Sequence, residues 1–125
     1  MIPKYRIWHK ARKQMFNVST IDFRQEKISY IDGSGFAGAF ISLDDVILMQ
    51  STGLTDTNGV EIFEGDILKL NKEISEATNA NQIMSVGFSQ DIAGFATCDH
   101  RYLWLYAKPS EIIGNIHQNP ELLEK

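Results

Sequence analysis

The chain has 125 residues, 43% apolar and 10% aromatic, with twelve basic and sixteen acidic side chains and a net charge of −4. That length suits one domain with a real core, and the composition excludes wholesale disorder. The charge is uneven: residues 1–21 hold Lys4, Arg6, Lys10, Arg12 and Lys13 and no acid, which leaves −9 on the remainder.

YRIWH (5–9) is short, aromatic and β-branched, which predicts a strand. KARKQ is a polar connector. MFNVSTIDF (15–23) predicts a second strand, RQEK a turn and KISYI (27–31) a third strand. Together they form an N-terminal β-meander whose core side uses Tyr5 and Ile7, then Phe16 and Val18, then Ile28 and Tyr30. DGSGFAGAF (32–40) carries three glycines and is expected to be a flexible or tightly turning connector. In ISLDDVILMQ, Ser42 can cap a helical turn with Asp44 and Asp45 near its positive end. The same letters allow an extended VILMQ strand. The expectation is a short turn and then a strand.

Asn58-Gly59 predicts a hairpin with a type I′ turn, whose two central residues need positive φ. Glu64-Gly65-Asp66 predicts a second turn, and GDILKL a strand. NKEISEATNANQ (71–82) is polar and lacks a core pattern, so it is expected to be a mobile loop. IMSVGFS, GFATC, YLWLYA and EIIGNI then read as four more strands. With GDILKL they make five short strands, which fits a small SH3-like or OB-like barrel. Asn119 as N-cap and Pro120 at the first helical position predict a short C-terminal helix. The fold class is mainly β, with residues 1–50 forming the meander part and 51–125 the barrel-like part.

Chemical motifs are few. Aligning Gly59 with the glycine of a calcium-binding EF-hand loop leaves Leu54 where the first ligand belongs and Gly65 where the bidentate glutamate belongs. Glu61, Glu64 and Asp66 could pair as carboxylates, but they flank turns, where carboxylates are usually solvated. Cys98-Asp99-His100 could offer metal ligands or a nucleophile with its base. A structural zinc wants four ligands, and the chain holds one Cys and three His, at positions 9, 100 and 117. Cys98 reads better as a small apolar residue at a strand end. A single Cys excludes an internal disulfide and suggests a reducing compartment. No apolar run reaches signal-peptide or membrane-span length, so a soluble, cytoplasmic protein is expected.

The basic head is the main electrostatic feature. Arg6, Trp8, Lys10, Arg12 and Lys13 interleave cations with an aromatic ring, a pattern that can contact phosphates and unstacked bases or a protein partner. An acidic pI near 5.3 opposes strong nucleic-acid binding.

Three segments carry a resemblance: PKYRIWHKARKQM, ILMQSTGLTDTNGVEIFEGDILKL and EIIGNIHQNPELLEK. The middle block is the most specific, with Asp56, Asn58, Gly59, Glu64, Gly65 and Asp66 at its turns. In these segments the chain resembles the YopX family, small proteins of phages and prophages, over one domain spanning 1–125. His9 and Phe63 stand where the family pattern has Asp and Tyr. The resemblance implies a phage-encoded protein in a bacterial cytoplasm, mainly β and capable of self-assembly. It brings no assigned activity, catalytic residue or cofactor. The expected role is a non-enzymatic interaction or homo-oligomeric assembly module, with a host or phage protein as possible partner. The alternative is a nucleic-acid accessory protein that uses the basic head. No membrane partner is expected.

Overall fold

The computed structural model describes residues 4–31 and 40–123. The chain divides into two compact units, Met1–Gln50 and Ser51–Lys125. The glycine-rich connector expected at 32–40 lies, except for Phe40, outside the described residues.

In the first unit, β1 (Tyr5–His9), β2 (Gln14–Asp22) and β3 (Lys27–Ile31) form the predicted antiparallel meander. A two-residue β4 (Ile41–Ser42) pairs with β3. A 3-10 turn (Leu43–Asp45) follows, with the Ser42 hydroxyl accepting from the Asp44 N–H at 3.2 Å. It leads into β5 (Val46–Thr55), whose first half pairs with β1. Strand order is therefore β4-β3-β2-β1-β5. Register explains the core. Ile7 lies across from Phe16 and Leu48, and Val18 across from Tyr30. Ile7, Ile28, Tyr30 and Val46 are buried, with Phe16, Val18, Ile21, Ile41, Leu43 and Leu48 packed on them. A strand with alternating sides delivers such a set only in one register, because a one-residue slip would turn it to solvent. Tyr5 is half-buried and stands outside this cluster.

In the second unit, the remainder of β5 pairs with β6 (Glu61–Phe63). Strands β7 (Asp66–Leu70), β8 (Ile83–Ser89), β9 (Gly94–Thr97) and β10 (Ser110–Asn115) form a four-stranded antiparallel sheet in the order β10-β7-β8-β9. The core joins Ile62, Leu68, Leu70, Met84 and Val86 to Ala80, Leu103, Tyr106 and Ala107. Each fully buried aliphatic side chain here contributes about 1.5–3 kcal/mol relative to exposure. The described residues end in a 3-10 turn, Pro120–Leu123, in place of the short helix the sequence predicts.

Three expectations are corrected. Residues 71–82 are not a structureless loop: α1 spans Lys72–Thr78. Asn71 caps it by accepting from the N–H groups of Glu73 and Ile74, and Asn79 ends it at φ 60°. Asparagine suits both positions, since its amide oxygen caps and its backbone tolerates the left-handed region. YLWLYA is not a strand. Leu103–Tyr106 forms the helical turn α2, which puts Leu103 and Tyr106 in the core. Finally, the described residues form no closed SH3-like or OB-like barrel. The segment that would have supplied the fourth of five strands is helical. The free side of β10 is also taken: the Thr57 N–H donates to the Ser110 carbonyl at 2.8 Å, and the Ile112 N–H donates to Asp56 at 3.0 Å.

Candidate functional site

The basic head divides into two groups. Along β1, Ile7 and His9 are buried, so Arg6 and Trp8 alternate onto the opposite side of the strand, half-buried. Lys10, Arg12 and Lys13 lie exposed in the β1–β2 turn. His9 shapes that turn: its Nδ1 accepts from the Arg12 N–H at 3.1 Å, and its carbonyl accepts from the Lys13 N–H at 2.7 Å. Lys13 closes the turn at φ 54°. The His9 ring meets Tyr30 edge-on at 5.7 Å and Phe16 at 6.3 Å. The Arg12 guanidinium lies 4.9 Å from the Phe16 ring centre and donates to the Tyr30 hydroxyl at 3.3 Å. Lys10 Nζ donates to the Asp44 carbonyl at 2.9 Å. Arg12 is thus held in a fixed pose by an aromatic shelf, with its charge still facing water. The five predicted residues do not share one surface.

The turn-rich middle block is a different object from the one expected. Asn58 does not adopt positive φ; among these loop residues Gly59 does, at 78°. The Gly59 N–H donates to the Asp56 carbonyl at 3.0 Å, and the Asp56 N–H donates to the Val60 carbonyl at 2.9 Å. This is a three-residue loop with a type I turn followed by a left-handed glycine, not a type I′ turn. The Asp56 side chain is 1% exposed. Its Oδ1 accepts from the N–H groups of Asn58 and Val60, both at 2.9 Å, and its Oδ2 from that of Ile112. Burial pushes the carboxyl up, but the three N–H donors and the Lys108 charge outweigh it and hold Asp56 below the usual carboxylate value. A general acid needs the opposite shift.

Asp66 is also buried, and its Oδ2 accepts from the Phe63 N–H at 2.8 Å, across the Glu64-Gly65 turn where Gly65 has φ 87°. The expectation that the turn carboxylates Glu61, Glu64 and Asp66 are solvated therefore fails for Asp66, while Asp56 bonds local backbone N–H groups as turn aspartates do. Glu61 and Glu64 are half-buried, and the Ser51 hydroxyl donates to Glu61. Asn58 Nδ2 donates to Glu111 at 3.3 Å.

Cys98 and His100 are exposed, so Cys98 stands at a strand end as expected but outside the core. It follows β9 at the rim of two shallow hollows. One, of about 530 Å³, is lined by Asn81, Gln82, Ile83, Ser85 and Leu123 besides Cys98. The other, of about 270 Å³, includes His100. Asp99, between them in sequence, is committed elsewhere. It accepts from the Thr97 hydroxyl, from the Asn81 N–H at 3.2 Å and from Arg101 Nε at 3.0 Å. Burial raises its pKa, and these bonds bring it below the ordinary value. Arg101 also donates to the Tyr106 hydroxyl at 3.0 Å and to the Asn79 carbonyl at 3.2 Å. Among the described residues, no three His, Cys, Asp or Glu side chains come together to hold a metal ion.

An exposed apolar run on and beside α2 is not predicted by the sequence. Because Leu103 and Tyr106 turn inward, the intervening Trp104 and Leu105 turn outward and are 65% and 52% exposed, beside Tyr102 at 48%. Helix α1 is tied at both ends to the segments flanking α2. Its capping Asn71 donates its N–H to the Pro109 carbonyl just after α2, and its closing Asn79 accepts from Arg101 just before α2. Glu73, Ile74 and Glu76 of α1 are exposed. The signal in the sequence was the i, i+3 spacing of Leu103 and Tyr106, overridden by the β-like composition of YLWLYA.

Among known proteins, a family model described as YopX protein matches residues 4–124. The crystal structure of protein EF1440 from Enterococcus faecalis is similar at 33% identity, covering 99% of each chain with a TM-score of 0.69. Among curated proteins, none matches.

Proposed function

The chain belongs to the YopX family, and from that premise we propose that it is a non-enzymatic interaction module acting through self-assembly or docking on a host or phage protein. One observation carries this reading: the contiguous exposure of Tyr102, Trp104 and Leu105 on and beside α2. A helical turn that buries two side chains and offers Trp and Leu to solvent has the composition of a binding anchor. The same reading takes the protein as a phage- or prophage-encoded accessory factor of the bacterial cytoplasm.

Light scattering over a range of concentrations tests it. The expected result is a mass above that of the 14.2 kDa chain, or capture of a protein partner, lost in Trp104→Ser at an unchanged unfolding midpoint. A Trp104→Ser variant that assembles and binds as the parent does would overturn the reading.

A second reading, a nucleic-acid accessory role, is favoured by the joint exposure of Lys10, Arg12 and Lys13 in one turn. Titration with single- and double-stranded DNA and RNA at two salt concentrations separates the two. Binding that weakens steeply with salt and disappears on inverting these charges supports this second role.

A further inference from the structure

We propose that His9 is a proton-controlled latch on the β1–β2 turn. Neutral, it holds the turn shut with Arg12 on its aromatic shelf; protonated, it opens the turn. His9 belongs to the first unit and α2, whose surface carries the assembly reading, to the second. The latch does not depend on that reading.

The latch is a buried, titratable ring with a fixed hydrogen-bond sense. His9 is 7% exposed and lies edge-on to Tyr30 and Phe16. Its Nδ1 accepts from the Arg12 backbone N–H at 3.1 Å. A backbone N–H can only donate, so Nδ1 carries no proton and the neutral ring holds its proton on Nε2. The same residue closes the turn a second time, through the 2.7 Å bond from the Lys13 N–H to its carbonyl. Of these two bonds, ring protonation acts directly on the one at Arg12.

A proton on Nδ1 turns the acceptor into a donor. Two N–H groups then face each other at hydrogen-bond distance, with neither able to accept. The added charge also enters an aromatic cluster that already holds the Arg12 guanidinium, which lies over Phe16 and donates to the Tyr30 hydroxyl. The other groups around His9 do not reverse this. Lys10 and Lys13 share its turn, and Gln14 of β2 and Val46 of β5 stand across from it. Just ahead of β5, Asp44 and Asp45 are exposed, and their carbonyls accept from Lys10 Nζ and from the Lys10 N–H. Three cations against two carboxylates sum to a positive surrounding, which opposes a further positive charge.

Opening the turn frees Arg12 from Phe16 and Tyr30. The basic turn therefore meets an anionic partner in two forms, preset when His9 is neutral and mobile when it is charged.

Heteronuclear NMR of the full chain tests this between about pH 8 and pH 5, the range in which histidines change charge. Neutral His9 is expected as the Nε2–H tautomer. As the ring gains its proton, the Arg12 and Lys13 amides should shift with the same midpoint. Hydrogen-exchange protection at Arg12, corrected for the intrinsic rate at each pH, should fall about tenfold, the worth of one net hydrogen bond. The β7 and β8 amides should keep theirs. In His9→Asn the amide oxygen can accept from the Arg12 N–H at every pH and gains no charge, so the response should vanish.

A neutral ring with its proton on Nδ1, a ring that titrates without moving the Arg12 amide, or a response that persists in His9→Asn would overturn the latch. The first two are read on the parent chain, so they decide the matter even where the variant folds poorly.

Discussion

Asp56 Oδ2 and the N–H of Ile112, 56 residues later in the chain, are joined by a 3.0 Å hydrogen bond. With Oδ1 serving Asn58 and Val60, one buried carboxylate organises its own loop and fastens that loop to β10.

Replacing Asp56 should therefore be costly. Asp56→Ala leaves three backbone donors without their acceptor and is expected to lower stability by about 3 kcal/mol. Asp56→Asn keeps one acceptor oxygen but places an NH₂ against a donor, and should cost about half as much. Urea unfolding followed by tryptophan fluorescence measures both.

The same group sets an acid limit. In the folded chain its pKa lies below the ordinary value of 3.8, so the unfolded chain binds the proton more readily. The stabilisation is complete above the unfolded value and is lost as pH falls through the lower folded one. Unfolding midpoints between about pH 6 and pH 2 should fall steeply at the acid end. The fall should be shallower in Asp56→Asn. Asp99, also lowered, supplies part of the remaining slope. Equal slopes in parent and variant would refute the assignment.

Gly59 isolates a backbone effect. Its φ is 78°, and a Cβ there would touch nothing within 4 Å. Gly59→Ala should cost about 1–2 kcal/mol from conformation alone. Gly59→Asn should cost clearly less, because Asn tolerates that region. Equal losses would show that something other than φ is being sensed.

Gly114 poses the opposite problem. A Cβ there would meet Asn119 Oδ1 at 2.5 Å, and that oxygen accepts from the Asn115 N–H at 3.3 Å. Gly114→Ala should destabilise by displacing the Asn119 side chain. In Gly114→Ala/Asn119→Ala the amide clash is gone and only the tight 3.0 Å approach to the Cβ of residue 119 remains, so the two losses should fall short of additive by about 0.5 kcal/mol or more. Strict additivity would mean the side chain moves aside freely.

Arg101 holds the closing residue of α1. Arg101→Lys loses the fork that reaches Asp99, Tyr106 and the Asn79 carbonyl together. Amide hydrogen exchange within α1 should accelerate while the β7 and β8 amides keep their protection. Uniform acceleration across the unit would point to global destabilisation instead.

Much of the architecture was legible where local rules decide it. The meander followed from the aromatic and β-branched composition of its strands and from the polar turns between them. Ser42, as the cap of a short turn ahead of a strand, was legible for the same reason. The helices were not. α1 has no buried residue to print an apolar period, and its evidence was confined to two asparagines at its ends. In α2, a four-residue run of large apolar side chains offers too little length to distinguish a period of 3.6 from one of 2. The role of Asp56 was half visible. Its bonds to Asn58 and Val60 are what turn aspartates do, but its third donor comes from a strand no local rule connects to it. The Arg12 shelf was hidden likewise, since it needs Phe16 and Tyr30 from two further strands.

A sheet margin finished by a carboxylate and a loop N–H, rather than by another strand, has its lock at a single ionisable oxygen pair. Protonating Asp56 would release the Ile112 N–H and turn β10 into a template for strand addition. Acid exposure should then lead towards fibrillar aggregates alongside the loss of stability. A permanent replacement such as Asp56→Ala should show the same tendency at neutral pH, making this loop the place where colloidal behaviour is decided.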